Sequence, residues 1–457
     1  MLNLAKFFLR APLTPRLPVW KQGLFFFSTQ NDAISLLQRK LESVKSLHGT
    51  NHKEYLETLF DLGTCYYEQG EFVKGIEQFY QSLEITESLK LTNYHNLAVL
   101  CNNIGHGYFM QNNLEQAFKY LQKAIAYSMK IEESNSPILI ESLFNFAQLN
   151  ETLDVPENAL EIYESILEMQ QEKFGAESPE LEPTLFCIGR IHARSRNLTE
   201  AKKFLEKSLN FRRKLNENEP EKIAEVLSEL GQVCLLQNSR EEALNYYGES
   251  LEILEKTGDK EKEIPDILSN ISILYKMAGD LETAQKYLDQ SFSKRGKTKD
   301  KGLFVQLANN AEILGDQEKY KEAAAEMEKA IEAFESLFGQ KNLEYAQLAR
   351  RAAVFHTSAE QYEEAFLWYE QVMQVLGNIL SKGSKEAVNE LVSTALERAA
   401  TSDMLGRTKQ ALESLKETLH VVSGKKDLEV DAKLIEKIQK EIEKLTKKIE
   451  EEKAENE

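Results

Sequence analysis

The chain contains 457 residues, of which 28% are charged, and its 74 acidic residues against 56 basic ones give a formal net charge of −18 at pH 7. This acidic balance disfavours binding to nucleic acid, which requires clustered Lys and Arg facing the phosphate backbone. The four cysteines form no Cys-x-x-Cys pair and no run of about 18 apolar residues occurs, so we expect buried thiols and no membrane span.

Residues 1–30 differ in composition from the rest of the chain. They carry Lys6, Arg10, Arg16 and Lys21, and the first acidic residue is Asp32. Apolar residues around the first two basic ones allow a short amphipathic helix, which prolines then interrupt. This composition predicts a disordered mitochondrial targeting segment, and therefore a protein of the mitochondrial matrix. The alternatives are a basic tail without a targeting role and a cytoplasmic location.

Small residues recur along the chain at a regular step, which indicates repeated helical hairpins. Gly63 is followed four times, at steps of 42 residues, by another small residue, and a second small residue lies twelve positions after each of them. Apolar residues around both positions follow the spacing of a helix. A hairpin needs small side chains where its helices cross, because a bulky residue there would overpack the contact. The predicted crossing pairs are Gly63/Gly75, Gly105/Ala117, Ala147/Ala159, Gly189/Ala201, Gly231/Ala243, Ser272/Ala284, Ala311/Ala323, Ala353/Ala365 and Ala399/Ala411.

Residues 31–424 are therefore predicted to form one elongated all-α solenoid of about nine hairpins, since each hairpin buries its apolar face only against its neighbours. Residues 33–48 fit the second helix of an incomplete leading unit. Turns that contain Gly70, Gly279 or Gly406 separate the helices of three hairpins, and glycine readily supplies the left-handed residue that ends a helix.

The last segment, residues 425–457, is predicted to be a charged amphipathic helix. Its apolar residues recur at alternating steps of three and four, and oppositely charged residues flank them one turn apart. Such a helix either caps the last hairpin or forms a coiled-coil seam with a partner. The apolar residues of this helix are Ile435, Ile438, Ile442, Leu445 and Ile449.

The first unit resembles a tetratricopeptide repeat. The matching residues are the Leu-x-x-Leu-Gly-x-x-Tyr run of Leu59, Leu62, Gly63 and Tyr66, together with the later small residue and the aromatic residue four positions beyond it. The 42-residue unit is longer than the usual tetratricopeptide unit and is similar to the repeats of kinesin light chains. The resemblance implies a right-handed superhelix of helical hairpins with a protein-binding role.

The resemblance also implies a binding groove lined by the first helix of each hairpin. The residue two positions before the first crossing residue would point into it, and an asparagine there would grip an extended ligand through an amide that both donates and accepts. The alternative is that these asparagines bond to adjacent helices. The candidate residues are Asn103, Asn145, Asn270 and Asn309, with Phe60, Phe144 and Phe186 as apolar contacts and Arg190 and Arg194 as local positive charge.

Motifs for catalysis are missing from the sequence. It contains no Gly-x-x-x-x-Gly-Lys loop, no His-Glu-x-x-His motif and no Gly-x-Ser-x-Gly turn, so we expect no enzyme, no cofactor and no metal. The predicted function is a mitochondrial scaffold or assembly subunit that holds a protein or peptide segment, with a basic segment favoured if the groove is acidic. The alternatives are a cytosolic cargo adaptor similar to kinesin light chain and an organellar RNA-associated repeat protein.

Overall fold

The computed structural model describes residues 30–89, 93–131, 136–215, 219–258, 263–296, 300–381, 386–424 and 432–455. Within those ranges the chain forms α-helices and one short 3-10 helix, and it forms no strand. The predicted all-α fold class is thereby confirmed. The targeting segment predicted for residues 1–30 lies, apart from its last residue, outside the described residues.

Twenty α-helices follow one another along the described ranges. In chain order they are α1 (Gln30–His48), α2 (Lys53–Glu68), α3 (Phe72–Ser88), α4 (Tyr94–Met110), α5 (Leu114–Ser128), α6 (Pro137–Thr152), α7 (Pro156–Phe174), α8 (Glu182–Arg194), α9 (Leu198–Leu215), α10 (Pro220–Leu236), α11 (Arg240–Thr257), α12 (Ile264–Met277), α13 (Leu281–Arg295), α14 (Lys301–Asp316), α15 (Tyr320–Phe338), α16 (Leu343–Ser358), α17 (Tyr362–Ser381), α18 (Glu386–Met404), α19 (Thr408–Gly424) and α20 (Ala432–Glu455).

The helices belong to two compact units, and the division falls between Tyr246 and Tyr247, within α11. In the first unit α1 packs on α2, and the hairpins α2–α3, α4–α5, α6–α7 and α8–α9 follow. In the second unit the hairpins are α12–α13, α14–α15, α16–α17 and α18–α19. The assignment of residues 31–424 to one domain, and the handedness of a superhelix, stay predictions.

The predicted crossing residues lie where the helices of a hairpin touch. A Cβ atom on Gly105 would stand 2.7 Å from Cγ of Leu121 on α5, closer than two carbon atoms can pack, so this position accepts only glycine without a shift of the helices. Where Ser272 takes the same place in α12, its hydroxyl donates a 2.7 Å hydrogen bond to the carbonyl of Ala284 on α13. Close helix approach therefore follows from the size of one side chain per hairpin.

All nine turns between a first and a second helix share one backbone geometry. A residue with positive φ lies seven positions after each first crossing residue. The amide N–H that follows it donates to a carbonyl five residues back, as Asn197 does to His192 at 2.8 Å, which is the hydrogen bond of a Schellman motif. Only three of these residues are glycines. The full set is Gly70, Asn112, Asp154, Arg196, Asn238, Gly279, Glu318, Glu360 and Gly406.

The last helix, α20, packs against α18 and α19 of the second unit. Ile438 and Leu445 are fully buried in that contact, and the Nζ atom of Lys448 lies 2.7 and 2.8 Å from the two carboxylate oxygens of Asp403. α20 thus contacts the hairpin before it as α18 contacts α16 and α17. The residues proposed for a coiled-coil seam are therefore partly used within the chain itself.

Candidate protein-binding surface

The residues two positions before each first crossing residue form what we call the first-helix row. Their order along the first helices is Asp61, Asn103, Asn145, Cys187 and Glu229 in the first unit, and Asn270, Asn309, Arg351 and Glu397 in the second. Neighbouring first helices touch directly, as α4 touches α6 and α8 touches α10. Apart from the buried cysteine and the exposed Arg351, these residues are half-buried, which leaves part of each side chain accessible.

A hydrogen-bonded chain of side chains joins α4 to α6 at this row. Asn102, which is 1% exposed, donates from Nδ2 to Oε1 of Glu141 at 3.0 Å. Asn145 in turn donates from Nδ2 to Oδ1 of Asn102 at 2.9 Å. An ionised carboxylate only accepts, so Glu141 sets the orientation of the Asn102 amide, and Asn102 then sets that of Asn145.

The other three predicted asparagines differ in the hydrogen bonds that they form. Asn309 donates from Nδ2 to Oγ of Ser269 on the preceding first helix at 2.9 Å. Asn103 receives a 2.7 Å bond at its backbone carbonyl from Oη of Tyr67. The side-chain amides of Asn103 and Asn270 form no hydrogen bond with any residue that the structure describes. Two of the four amides therefore join first helices, and the ligand-gripping role stays a prediction.

The predicted apolar contacts are largely used inside the fold. Phe144 is 7% exposed and packs edge-on against Tyr163 at a centroid distance of 5.2 Å. Phe186 is 5% exposed, and the guanidinium of Arg212 lies 4.6 Å from its ring centroid. Only Phe60 stays half-buried. The apolar pockets expected at Phe144 and Phe186 are thus filled by the chain's own side chains.

The local positive charge expected from two arginines is also compensated. Nη2 of Arg190 lies 2.8 Å from Oε2 of Glu151, whose other oxygen accepts a 2.9 Å bond from Oη of Tyr163. Nη1 of Arg194 lies 3.8 Å from the same carboxylate, and its Nη2 lies 3.6 Å from Asp154. Glu151 stands 39 residues before Arg190, so only the tertiary structure shows that they pair.

Three further carboxylates of the first unit lie outside the set of site residues predicted from the sequence. Asp61, Glu141 and Glu229 lie on first helices, and burial raises the pKa of each. For Glu229 the nearby Arg190 opposes this rise, whereas for Glu141 the only opposing contact is the hydrogen bond from Asn102. Asp61 and Glu229 belong to the first-helix row, and Glu141 lies one turn before Asn145 on α6, so all three positions were visible in the sequence.

The thiol of Cys187, in the first-helix row, is expected to be unreactive. Cys187 is 7% exposed, and burial raises its pKa to about 12. At neutral pH it is therefore protonated and a poor nucleophile.

The second unit differs, because its first-helix charges are paired with one another. Arg350 holds Glu397 in a two-point contact at 2.8 and 2.6 Å and also reaches Glu390 at 3.0 Å. Arg351 lies 3.3 Å from Glu312, which Lys276 also approaches at 3.2 Å. These pairs cross between neighbouring first helices and leave little uncompensated charge there.

The described part of the chain shows neither a metal-binding cluster nor a membrane-spanning helix. No group of three or more His, Cys, Asp and Glu side chains is placed there to hold a metal ion. None of the helices described combines the length and the apolar character that crossing a membrane requires.

Comparison with protein families finds the family model described as tetratricopeptide repeat. It matches residues 18–88, 95–172, 180–256 and 223–295, which together make up more than half of the chain. Comparison with curated protein sequences finds no match.

Solved structures of similar fold have low sequence identity. BtubC (BKLC) from P. vanneervenii is 18% identical, with a TM-score of 0.46 over 51% of this chain and 94% of its own. A tetratricopeptide repeat protein from Parabacteroides merdae is 20% identical, with a TM-score of 0.44 over 64% and 96%. A kinesin light chain-like protein of Podosopora anserina is 19% identical, with a TM-score of 0.39 over 44% and 97%.

Proposed function

Because the chain belongs to the tetratricopeptide repeat family, we propose that it is a non-catalytic scaffold of mitochondria that holds a segment of a partner protein on its first-helix row. Proteins of this family generally bind other proteins and are generally not enzymes. The observation that supports this role is the half-buried first-helix row of the first unit. There the side-chain amides of Asn103 and Asn145 keep atoms that form no hydrogen bond with the described residues.

The chemistry of the first unit favours a basic partner segment. Asp61 and Glu229 in the row, and Glu141 one turn away from it, supply negative charge. Arg190, which also lies near Glu229, is paired with Glu151, as is Arg194. The net charge of the whole chain, −18, has the same sign. Complementary charge raises the rate of encounter and selects against acidic segments.

The mitochondrial location is supported by the composition of residues 1–30, which are basic, apolar and free of Asp and Glu. Imaging of the full chain with a fluorescent protein fused to its C-terminus tests this part. We expect mitochondrial signal that is lost when residues 1–30 are deleted. Signal along microtubules would instead favour a cytosolic cargo adaptor and would contradict the proposal.

Affinity purification from isolated mitochondria tests the scaffold role. The full chain carrying Asn103→Ala and Asn145→Ala is compared with the unchanged chain and with Asn96→Ala, an exposed asparagine near the start of α4. We expect at least one partner that the double variant loses and the control retains. Equal recovery by all three chains would refute the role of the row, and recovery of RNA alone would favour an RNA-associated protein.

A further inference from the structure

We infer that Glu141 and Asn145 on α6 form a subsite for one lysine or arginine side chain of the bound segment. This inference rests on the proposed function and specifies which part of the row recognises charge. The two residues are four positions apart on one helix, so their side chains lie on the same face, with Cβ atoms about 5–6 Å apart. One ammonium or guanidinium group can therefore contact both.

The polarity of this face follows from the hydrogen bonds beneath it. The Nδ2 atom of Asn102 points to Glu141, since the opposite orientation would set its carbonyl oxygen against a carboxylate. Asn102 thus offers Oδ1 to Asn145, and Asn145 uses Nδ2 to reach it. Its Oδ1 accepts no hydrogen bond from the residues that the structure describes. Oδ1 of Asn145 and the second oxygen of Glu141 are left to a ligand as acceptors, beside the second N–H of the Asn145 amide.

Glu141 also has no basic side chain of the described ranges within ion-pair distance, unlike Glu151 on the same helix. Glu151 is held by Tyr163, Arg190 and Arg194. Around Glu141, no Lys, Arg or His nitrogen of the described ranges lies within 4.0 Å, and Asn102 is its hydrogen-bond partner. A half-buried carboxylate without a cation gains more from a bound ammonium or guanidinium than an exposed one does, because water screens it less.

The same face disfavours other ligand groups. A carboxylate or phosphate would meet two acceptors and a negative charge, and an apolar side chain would cover Glu141 without giving it a donor. Backbone N–H groups can bond to Asn145, but they do not neutralise Glu141. A cationic donor is the group that satisfies both residues at once.

The test measures binding of N-acetylated, amidated pentaarginine to the full chain by isothermal titration calorimetry. Glu141→Gln is compared with Glu161→Gln, which removes the same charge from an exposed position on α7. We expect Glu141→Gln to weaken binding about tenfold, the effect of losing one charge-assisted pair, and Glu161→Gln to weaken it less than about twofold. Equal effects of the two variants, or none from either, would overturn the subsite.

A second measurement guards against a variant that merely disturbs the fold. Glu141→Asp keeps a carboxylate on the face, so it should retain more of the pentaarginine binding than Glu141→Gln does, whereas equal weakening by the two variants would count against the inference. Circular dichroism of each variant checks that its helices are intact.

The cation subsite and the scaffold role can be refuted independently of each other. If the mitochondrial partner is retained by Glu141→Gln but lost by the double asparagine variant, the subsite is wrong and the scaffold role stands. If pentaarginine distinguishes Glu141→Gln from Glu161→Gln but no partner depends on the row, the subsite stands and the scaffold role falls.

Discussion

Arg212 is a buried cation that joins three helices of the first unit. Its side chain is 7% exposed; Nε donates to Oε1 of Glu182 on α8 at 2.6 Å, and Nη1 lies 3.2 Å from Oε2 of Glu225 on α10. The same Nη1 donates to the carbonyl of Lys222, and the guanidinium stacks over Phe186. One residue therefore ties a hairpin to the first helix of the next.

We predict that Arg212→Met lowers the free energy of unfolding of the first unit by about 3–5 kcal/mol, because Glu182 would stay buried with the hydrogen bond from Ser208 but without a cation. Urea unfolding followed by circular dichroism measures the change. Arg194→Met is the control, since the side chain of Arg194 is 51% exposed, and we expect a change within about 0.5 kcal/mol. A loss below about 1 kcal/mol for Arg212→Met would show that this contact is dispensable.

The hairpin turn is the element that repeats most faithfully. Its left-handed residue is a glycine in three turns and a residue with a Cβ atom in six. Arg196, at φ 62°, and Glu360, at φ 60°, have no short polar side chain to favour that conformation. The positive φ at these turns therefore comes from the two helices and the Schellman hydrogen bonds. It is kept although residues with a Cβ atom prefer negative φ.

Arg196→Gly is consequently expected to stabilise the first unit by about 1 kcal/mol, because glycine adopts positive φ without the steric cost that an L side chain carries. A rise in the urea midpoint would support this. Lys203→Gly, at an exposed position inside α9, supplies the opposite case and should destabilise by about 1 kcal/mol. No gain from Arg196→Gly would mean that the side chain contributes contacts of equal value.

α20 is held on the last hairpin by apolar burial and by one pair of charges. Burial opposes ionisation of Asp403, but hydrogen bonds from Lys448 and Thr408 outweigh it and keep the pKa of Asp403 below its usual value of 3.8. A carboxyl whose pKa is lower in the folded state stabilises that state above pH 3.8, and this contribution is lost as the pH falls through the folded-state pKa.

We therefore predict that Lys448→Met loosens α20 at pH 7 by about 0.5–1 kcal/mol, the range for a partly exposed pair. Hydrogen exchange of the α20 amides measures the loss. The difference from the unchanged chain should shrink as the pH falls below about 3.8, since protonated Asp403 no longer attracts Lys448. A difference independent of pH would assign the effect to packing. Lys440→Met removes an exposed cation that pairs with Glu436 on α20 itself, and it should loosen the helix by less than about 0.5 kcal/mol.

At the scale of the whole molecule, the net charge of −18 acts on any charged partner from a distance. Raising NaCl from about 50 mM to about 500 mM shortens the screening length to a few ångströms. We predict that pentaarginine binding weakens by at least about tenfold over this range, because long-range attraction is lost. The ratio between the unchanged chain and Glu141→Gln should persist, since a half-buried pair is screened less. A ratio that falls to one would mean that Glu141 acts only through net charge.

Much of the fold could be predicted from the sequence. The step of 42 residues between Gly63 and Gly105 marks where helices must approach, and side-chain size at a crossing is a local property that the sequence displays directly. The predicted crossing pairs fall accordingly on successive helix pairs. The candidate asparagines were found in the same way, by their distance from a crossing residue.

The hydrogen bonds of that row were decided by the tertiary structure. Asn145 meets Asn102 across 43 positions of sequence, and Arg190 meets Glu151 across 39, so neither pairing leaves a local pattern. The sequence by itself determined that helices repeat and where they cross, because helix formation and close approach depend on neighbouring residues. Only the packing of one hairpin on the next determined which polar atoms are used and which face outward, because those contacts join residues that are close in space alone.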